Sequence, residues 1–264
     1  MIGEIIVSVV TLSGLGLIFG IGLAIASKKL CVSADPKIEA IYTRLPGANC
    51  GACGMAGCMG FALGLIQGSC TVDKCPVTEI NKKLEIAEIL GQQLKTKTKT
   101  VAVLHCGGGR RAKDKFKYEG IKDCIAANLI AGGQKACIWG CLGFGSCVRA
   151  CPFGAITMGP DELPIIDENK CTGCGKCVQI CPKKLFTLVP VEKKFYVRCS
   201  SLDFGKLVLD VCPVGCIGCY KCQKACPVSA ITVINNLAVF DYAKCQNLGE
   251  CIQVCPTKCI VGRN

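Results

Sequence analysis

The sequence predicts an α+β protein: one N-terminal transmembrane helix, a small cysteine-bearing domain, and two tandem modules in which short helices alternate with hairpins. Three observations carry this. Residues Ile5 to Ser27 form one uncharged apolar run. The blocks Cys171-Thr-Gly-Cys174-Gly-Lys-Cys177-Val-Gln-Ile-Cys181-Pro182 and Cys216-Ile-Gly-Cys219-Tyr-Lys-Cys222-Gln-Lys-Ala-Cys226-Pro227 share one spacing. The motif Cys-Pro-x-x-Ala-Ile, at Cys151–Ile156 and again at Cys226–Ile231, precedes two segments of hairpin character, Ile156–Ile166 and Ile231–Phe240.

The apolar run is long enough at helical rise to cross a bilayer, and Lys28-Lys29 follow it directly, so the positive-inside rule puts everything after Lys28 in the cytoplasm. A signal peptide would carry its positive charge before the apolar run, whereas this chain starts Met1-Ile-Gly-Glu4 and shows no small-residue cleavage pattern. The expected location is therefore the cell (inner) membrane, single-pass. Gly14, Gly16, Gly20 and Gly22 would let a neighbouring helix approach closely, which suits packing in a larger assembly better than a solitary anchor. Cys31, alone beside the span, reads as a spare thiol.

Twenty-six cysteines in 264 residues indicate disulfides, structural zinc or iron–sulfur clusters. A disulfide scaffold requires an exported chain. Zinc sites use paired cysteines but do not call for a fourth cysteine followed by proline. The C-x2-C-x2-C-x3-C-P run is that of [4Fe-4S] proteins. It occurs twice in full, and twice without its middle cysteine: Cys141, Cys147 and Cys151 with Phe144 at the gap, and Cys245, Cys251 and Cys255 with Leu248. The formal charge of +12 invites a nucleic-acid reading, but each bound cluster adds about −2, so five would leave roughly +2. No nucleic-acid face is expected, since aromatic residues are 6% and do not interleave with basic ones. The residual basic charge suits an acidic protein partner.

In the domain 31–94, Leu45-Pro-Gly-Ala-Asn-Cys50-Gly-Ala-Cys53-Gly-Met-Ala-Gly57-Cys58 and the later Cys75-Pro76 suit one cubane, glycine letting backbone amides turn toward sulfur. Cys70 competes with Cys75 for the fourth place, and the Cys-Pro pattern favours Cys75. The segment 78–90 predicts an amphipathic helix through Ile80, Leu84, Ala87 and Leu90, with Gly91 ending it. The basic stretch 95–100 reads as a linker.

The anchor, the segment Asp35-Pro36 with Leu45–Cys58, and the downstream cluster motifs together make the chain resemble the B-subunit family of the Rnf complex, the membrane ferredoxin:NAD oxidoreductase. The resemblance covers nearly the whole chain and implies reduced ferredoxin as electron donor, other Rnf subunits as partners, and NAD reduction coupled to Na+ or H+ translocation by the complex.

Beyond the linker, modules 101–190 and 191–264 can be laid over one another: Val101–Cys106 on Phe195–Cys199, and Cys124-x12-Cys137-x3-Cys141 on Cys199-x12-Cys212-x3-Cys216. In two-cluster ferredoxins the fourth cysteine of one motif ligates the other motif's cluster. Cys171, Cys174 and Cys177 then share a cluster with Cys151, and Cys216, Cys219 and Cys222 share one with Cys255. Cys141, Cys147 and Cys181 lack a fourth ligand, for which Cys137 is nearest, and Cys245, Cys251 and Cys226 lack one, for which Cys259 is nearest. Either set suits [3Fe-4S] equally. Five clusters are expected, and Cys106, Cys124, Cys199 and Cys212 leave a sixth cluster and plain structural thiols both open.

Gly107-Gly-Gly109 with Arg110 and Arg111 lacks the P-loop lysine and hydroxyl spacing and any dinucleotide fingerprint, so no direct nucleotide binding is expected. His105, the one histidine, reads as structural rather than as a cluster ligand. With no poised nucleophile and no flavin or nicotinamide motif, the chain itself offers only a row of one-electron carriers. A cluster subunit of another membrane dehydrogenase or hydrogenase, and a zinc-binding scaffold, are the competing readings.

Overall fold

The computed structural model describes residues 2–29, 35–94 and 98–263; Cys31 and the first half of the basic linker lie outside them. The chain divides into two units, Met1–Ala40 and Ile41–Asn264. The first is dominated by α1 (Ile2–Lys29), within which Val9–Ser27 is long and apolar enough to cross a membrane. A Cβ built on Gly14, Gly16, Gly20 or Gly22 would meet nothing within 4 Å.

The second unit begins within α2 (Pro36–Arg44), followed by α3 (Gly57–Ile66) and α4 (Ile80–Leu90), which Gly91 ends in the left-handed conformation at φ +63°. Ile41, Phe61, Leu65 and Ile86 are fully buried here, and Arg44 Nε lies 2.7 Å from Glu85 Oε2. The packed face of α4 is Ile86 and Ala87; the expected stripe is displaced, because Ile80 and Leu84 are about half exposed.

Two similar arrangements follow. In the first, β1 (Thr100–Leu104) runs antiparallel to β4 (Phe186–Pro190). Between them lie α5 (Cys124–Leu129), α6 (Ser146–Arg149), the hairpin β2 (Ile156–Met158) with β3 (Pro164–Ile166), and α7 (Lys176–Ile180). In the second, β5 (Phe195–Val197) pairs with β8 (Ile260–Gly262), enclosing α8 (Gly205–Val211), α9 (Lys221–Ala225), the hairpin β6 (Ile231–Ile234) with β7 (Leu237–Phe240), and α10 (Glu250–Gln253). The hairpin registers pair Ile156 with Ile166 and Ile231 with Phe240, the segments read from the sequence. Thr100, placed in the linker by sequence, opens β1.

His105 ties the halves together: its Nδ1 lies 2.7 Å from Val197 O and its Nε2 2.7 Å from Thr187 Oγ1. Nδ1 thus reaches the second half, while Nε2 is held by β4 within the first. At the far edge Arg263, with its side chain 6% exposed, donates to Pro190 O and Val191 O and stands 2.9 Å from Glu168 Oε1 as an ion pair.

Candidate iron–sulfur sites

Site I takes its shape from the Leu45–Cys58 loop. Asn49, at φ +45°, turns its Oδ1 back to accept the Cys58 N–H at 2.7 Å, and a Cβ on Gly57 would come 2.7 Å from that oxygen. Glycine there lets the loop close round Cys50, Cys53 and Cys58. Cys75 and Cys70 are both buried but play opposite roles: Cys75 Sγ accepts from Thr78 Oγ1 at 3.1 Å, while the Cys70 thiol donates to Phe61 O at 3.8 Å. This polarity favours Cys75 as the ligand.

Site II brings Cys141 and Cys147 together with Cys181 and Cys124 around a cavity of about 370 Å³. Cys124, not Cys137, stands fourth in this set, which corrects the expectation drawn from sequence proximity. The reason is local. Asp123 caps α5, its Oδ1 accepting from the Ile125 and Ala126 amides, while its Oδ2 accepts from Ser146 Oγ and pairs with Arg149. Ser146 Oγ in turn accepts the Cys124 N–H at 2.8 Å, so Cys124 is clamped to the helix that bears Cys147. Phe144, at the missing-cysteine position, packs against Tyr118 with ring centroids 5.2 Å apart. The signal available in the sequence was the helix start at Asp123, an N-cap residue directly preceding a cysteine.

Site III gathers Cys151, Cys171, Cys174 and Cys177, as the crossed-ligand rule anticipates, around about 320 Å³. The Ala102 amide points at Cys171 Sγ at 3.5 Å. Burial raises the Cys174 thiol, and Cys50 stands close enough to add to that rise, so site I neighbours site III. Site IV gathers Cys216, Cys219, Cys222 and Cys255 around about 310 Å³, and Cys259 joins them. Cys259 Sγ lies 3.6 Å from Cys255 Sγ. This corrects its expected place beside Cys245, because the last turn before β8 points it into the neighbouring site.

Site V holds Cys226, Cys245 and Cys251 around about 300 Å³, with Leu248 at its wall and 52% exposed. Among the described residues no fourth cysteine lines it. A further cavity, of about 360 Å³, is lined by Cys106, Cys137, Cys199 and Cys212, together with Trp139.

Burial sets the protonation of most of these thiols. Burial pushes Cys147, Cys222 and Cys251 up to about 11, Cys177 up to about 12, and Cys141 higher still. Such thiols give up their protons to a cation, so assembly expels protons. Cys216 and Cys255 behave oppositely: hydrogen bonding with the Cys259 side chain holds them down, at about 6 and about 5. Backbone N–H groups also reach Cys181 and Cys226, at 3.5 and 3.3 Å from Leu185 and Ala230, the contacts that stabilise cluster thiolates. Among the described residues no three histidine, cysteine or carboxylate side chains converge as a single ion requires; the sulfurs ring cavities. Rings of thiols round a cavity fit a cubane.

Gly107 and Gly108 line the Cys106 cavity. A Cβ on Gly109, at φ +51°, would collide with Asp161 O, and Arg111 turns back to donate to Gly107 O.

Residues 45–77 match a family model described as a putative Fe-S cluster, and residues 136–185, 170–230 and 215–259 match that of a 4Fe-4S dicluster domain. The chain is 45% identical, over 99% of its length and 79% of the relative's, to the B subunit of the Na(+)-translocating ferredoxin:NAD(+) oxidoreductase complex of Acetobacterium woodii. It is 45% identical, over 97% of its length and 92% of the relative's, to the B subunit of the proton-translocating ferredoxin:NAD(+) oxidoreductase complex of Clostridium ljungdahlii. The B subunit of the ion-translocating oxidoreductase complex of Methanosarcina acetivorans is 40% identical over 98% of this chain and 99% of the relative.

Proposed function

We propose, for a chain that belongs to the B-subunit family of the ion-translocating ferredoxin:NAD oxidoreductase (Rnf) complex, the role of a membrane-anchored electron wire. It accepts electrons from reduced ferredoxin and passes them to other Rnf subunits, which reduce NAD while Na+ or H+ is translocated. The observation that carries this is the grouping of the cysteines into neighbouring sites within one unit. The chain contributes to an oxidoreductase complex without bond-making chemistry of its own.

Sites I to V are assigned five clusters, which when bound supply one-electron transfer. The two halves are read as tandem two-cluster ferredoxin-like modules, 101–190 and 191–264, behind an anchor at 1–30 and a single-cluster domain at 31–94. Cys124, Cys141, Cys147 and Cys181 hold one cluster; Cys151, Cys171, Cys174 and Cys177 a second; Cys216, Cys219, Cys222 and Cys255 a third; Cys50, Cys53, Cys58 and Cys75 a fourth. The fifth site offers three thiolates, Cys226, Cys245 and Cys251, the number that holds [3Fe-4S]. The nearness of Cys50 to Cys174 supports transfer from the modules to the single-cluster domain and on toward the membrane. Between Ile5 and Ser27 the span carries no charged residue, so ion passage is assigned to other subunits. Lys28-Lys29 support a cytoplasmic location for the cluster-bearing unit.

The cluster subunit of some other membrane dehydrogenase is disfavoured by relatives matching nearly the whole chain. The deciding experiment mixes anaerobically purified protein with reduced ferredoxin and follows bleaching of cluster absorbance. Stoichiometric bleaching is expected, slowing as ionic strength rises because an acidic donor meets a basic surface. A colourless protein holding zinc would end the redox reading, and rates indifferent to salt would end the electrostatic docking.

A further inference from the structure

We propose that Cys259 is a reserve ligand of site IV, a fifth sulfur that takes the place of Cys255 at the same iron when Cys255 lets go. This rests on the iron–sulfur reading above and goes beyond it, since four other cysteines already complete that site.

The first observation is the turn that presents the residue. In all four Cys-Pro turns the third residue after the cysteine is left-handed: Gly154 at φ +59°, Lys184 at +52°, Ser229 at +49° and Lys258 at +51°. Its N–H donates to the carbonyl of the cysteine that opens the turn, at 3.0 to 3.5 Å. The next residue, Ala155, Leu185, Ala230 or Cys259, is at most 3% exposed and lines the same cavity as that cysteine. Three of the turns close this wall with carbon. The fourth hangs a sulfur on the β-carbon that Ala155 and Ala230 have.

That sulfur goes to the ligands. Cys259 Sγ lies 3.6 Å from Cys255 Sγ and hydrogen-bonds with the Cys216 side chain as well, so it stands against two of the four thiolates of the site. Filling the wall asks only for a methyl group, as at Ala155 and Ala230.

Exposure gives the reserve a purpose. Cys219, a ligand of the same site, is the only exposed cysteine among the described residues. Oxidation follows exposure of thiolate sulfur, so site IV is the site that oxidants reach first.

Backbone amides mark which sulfur binds at rest. Cys255 Sγ accepts the N–H groups of Cys259 and Ile260, as Cys181 and Cys226 accept those of Leu185 and Ala230. Cys255 is thus the resting ligand and Cys259 the waiting thiol. In the exchange the bond from Cys255 Sγ to iron breaks and one from Cys259 Sγ forms; the proton leaves Cys259 and ends on Cys255, and no electron moves.

The test uses the full chain, purified anaerobically in detergent, with iron content and EPR spectra read for the wild type, Cys255→Ala, Cys259→Ala and Cys255→Ala/Cys259→Ala. Because site V is assigned three irons, every spectrum is compared with that of the wild type. Cys255→Ala is expected to keep the wild-type iron content and to add no three-iron signal, whereas the double variant loses about one iron per chain and gains such a signal. A Cys255→Ala protein that already matches the double variant overturns the proposal, as does a double variant with the full wild-type complement. Should Cys255→Ala be insoluble, oxidation by ferricyanide decides between the wild type and Cys259→Ala, which installs the residue found at positions 155 and 230. The three-iron signal is expected to grow several-fold faster without Cys259, and equal rates overturn the reserve role. A wild type with zinc or no metal at all would instead overturn the parent reading.

Discussion

Cys124 and Cys259 are the two residues whose roles the cysteine spacing misassigns, and both corrections have chemical consequences. Cys124 is held by the Asp123, Ser146 and Arg149 network at site II. Cys124→Ser is expected to remove or convert one four-iron Mössbauer component, whereas Cys137→Ser should leave the site II component intact. Asp123→Ala, which deletes the cap of α5, should cost about 1 kcal/mol and loosen the same site without removing a ligand. Cys259 Sγ lies within hydrogen-bonding reach of Cys255 Sγ, at 3.6 Å. A hydrogen bond to cluster sulfur stabilises the reduced, more negative state and raises the potential. Cys259→Ala should therefore lower the potential of site IV by roughly 40 mV, taking about 1 kcal/mol for the bond and about 59 mV per tenfold change for one electron. A redox titration followed by EPR reads this directly, and an unmoved potential would show the contact to be mere packing.

At the scale of elements, much is legible because short-range pattern controls it. The hairpins after Ala155-Ile156 and Ala230-Ile231 follow from alternating apolar residues, and the strand before Cys106 follows from Val101 to Leu104, all buried. The overlay of the halves is not legible in the same way. By spacing alone, matching Cys124 to Cys199 is as good as matching Cys106 to Cys199 by strand. The fold selects the strand match, because β1 and β5 are equivalent and Cys124 lies in extra length between Cys106 and Cys137 that the second half lacks. That extra length supplies the fourth sulfur of site II, and its absence leaves site V with three. The face of α4 escapes the sequence for a similar reason, since periodicity marks an apolar stripe but not which edge of it meets the core. Ile86→Ala, at a fully buried position, should cost about 2–5 kcal/mol in a denaturant titration and weaken site I, whereas Leu84→Ala should stay within about 0.5 kcal/mol.

For the molecule as a whole, the sheets are too small to stand by themselves. Each of the four described has two strands, and an isolated two-stranded sheet is marginal in water. The packed interior of the second half includes Cys199, Cys216, Cys222, Cys251 and Cys259 beside only a few aliphatic side chains. Folding energy must then come from metal, as in other small metal-bearing domains. Anaerobic chelation is expected to remove the short strands and helices from the circular dichroism spectrum in step with iron loss, leaving the helical signal of α1, which carries no cysteine. Charge should report the same event. Each lost cluster takes about −2 with it, so a chain near +2 with five clusters returns toward its formal +12 as the freed thiols take up protons. The stripped protein should focus at higher pH than the loaded one and become protease-sensitive throughout residues 98–263. Iron loss with the strand signal and protease resistance intact would mean that the halves fold without their clusters, and that the cavities between the thiols are built by the chain alone.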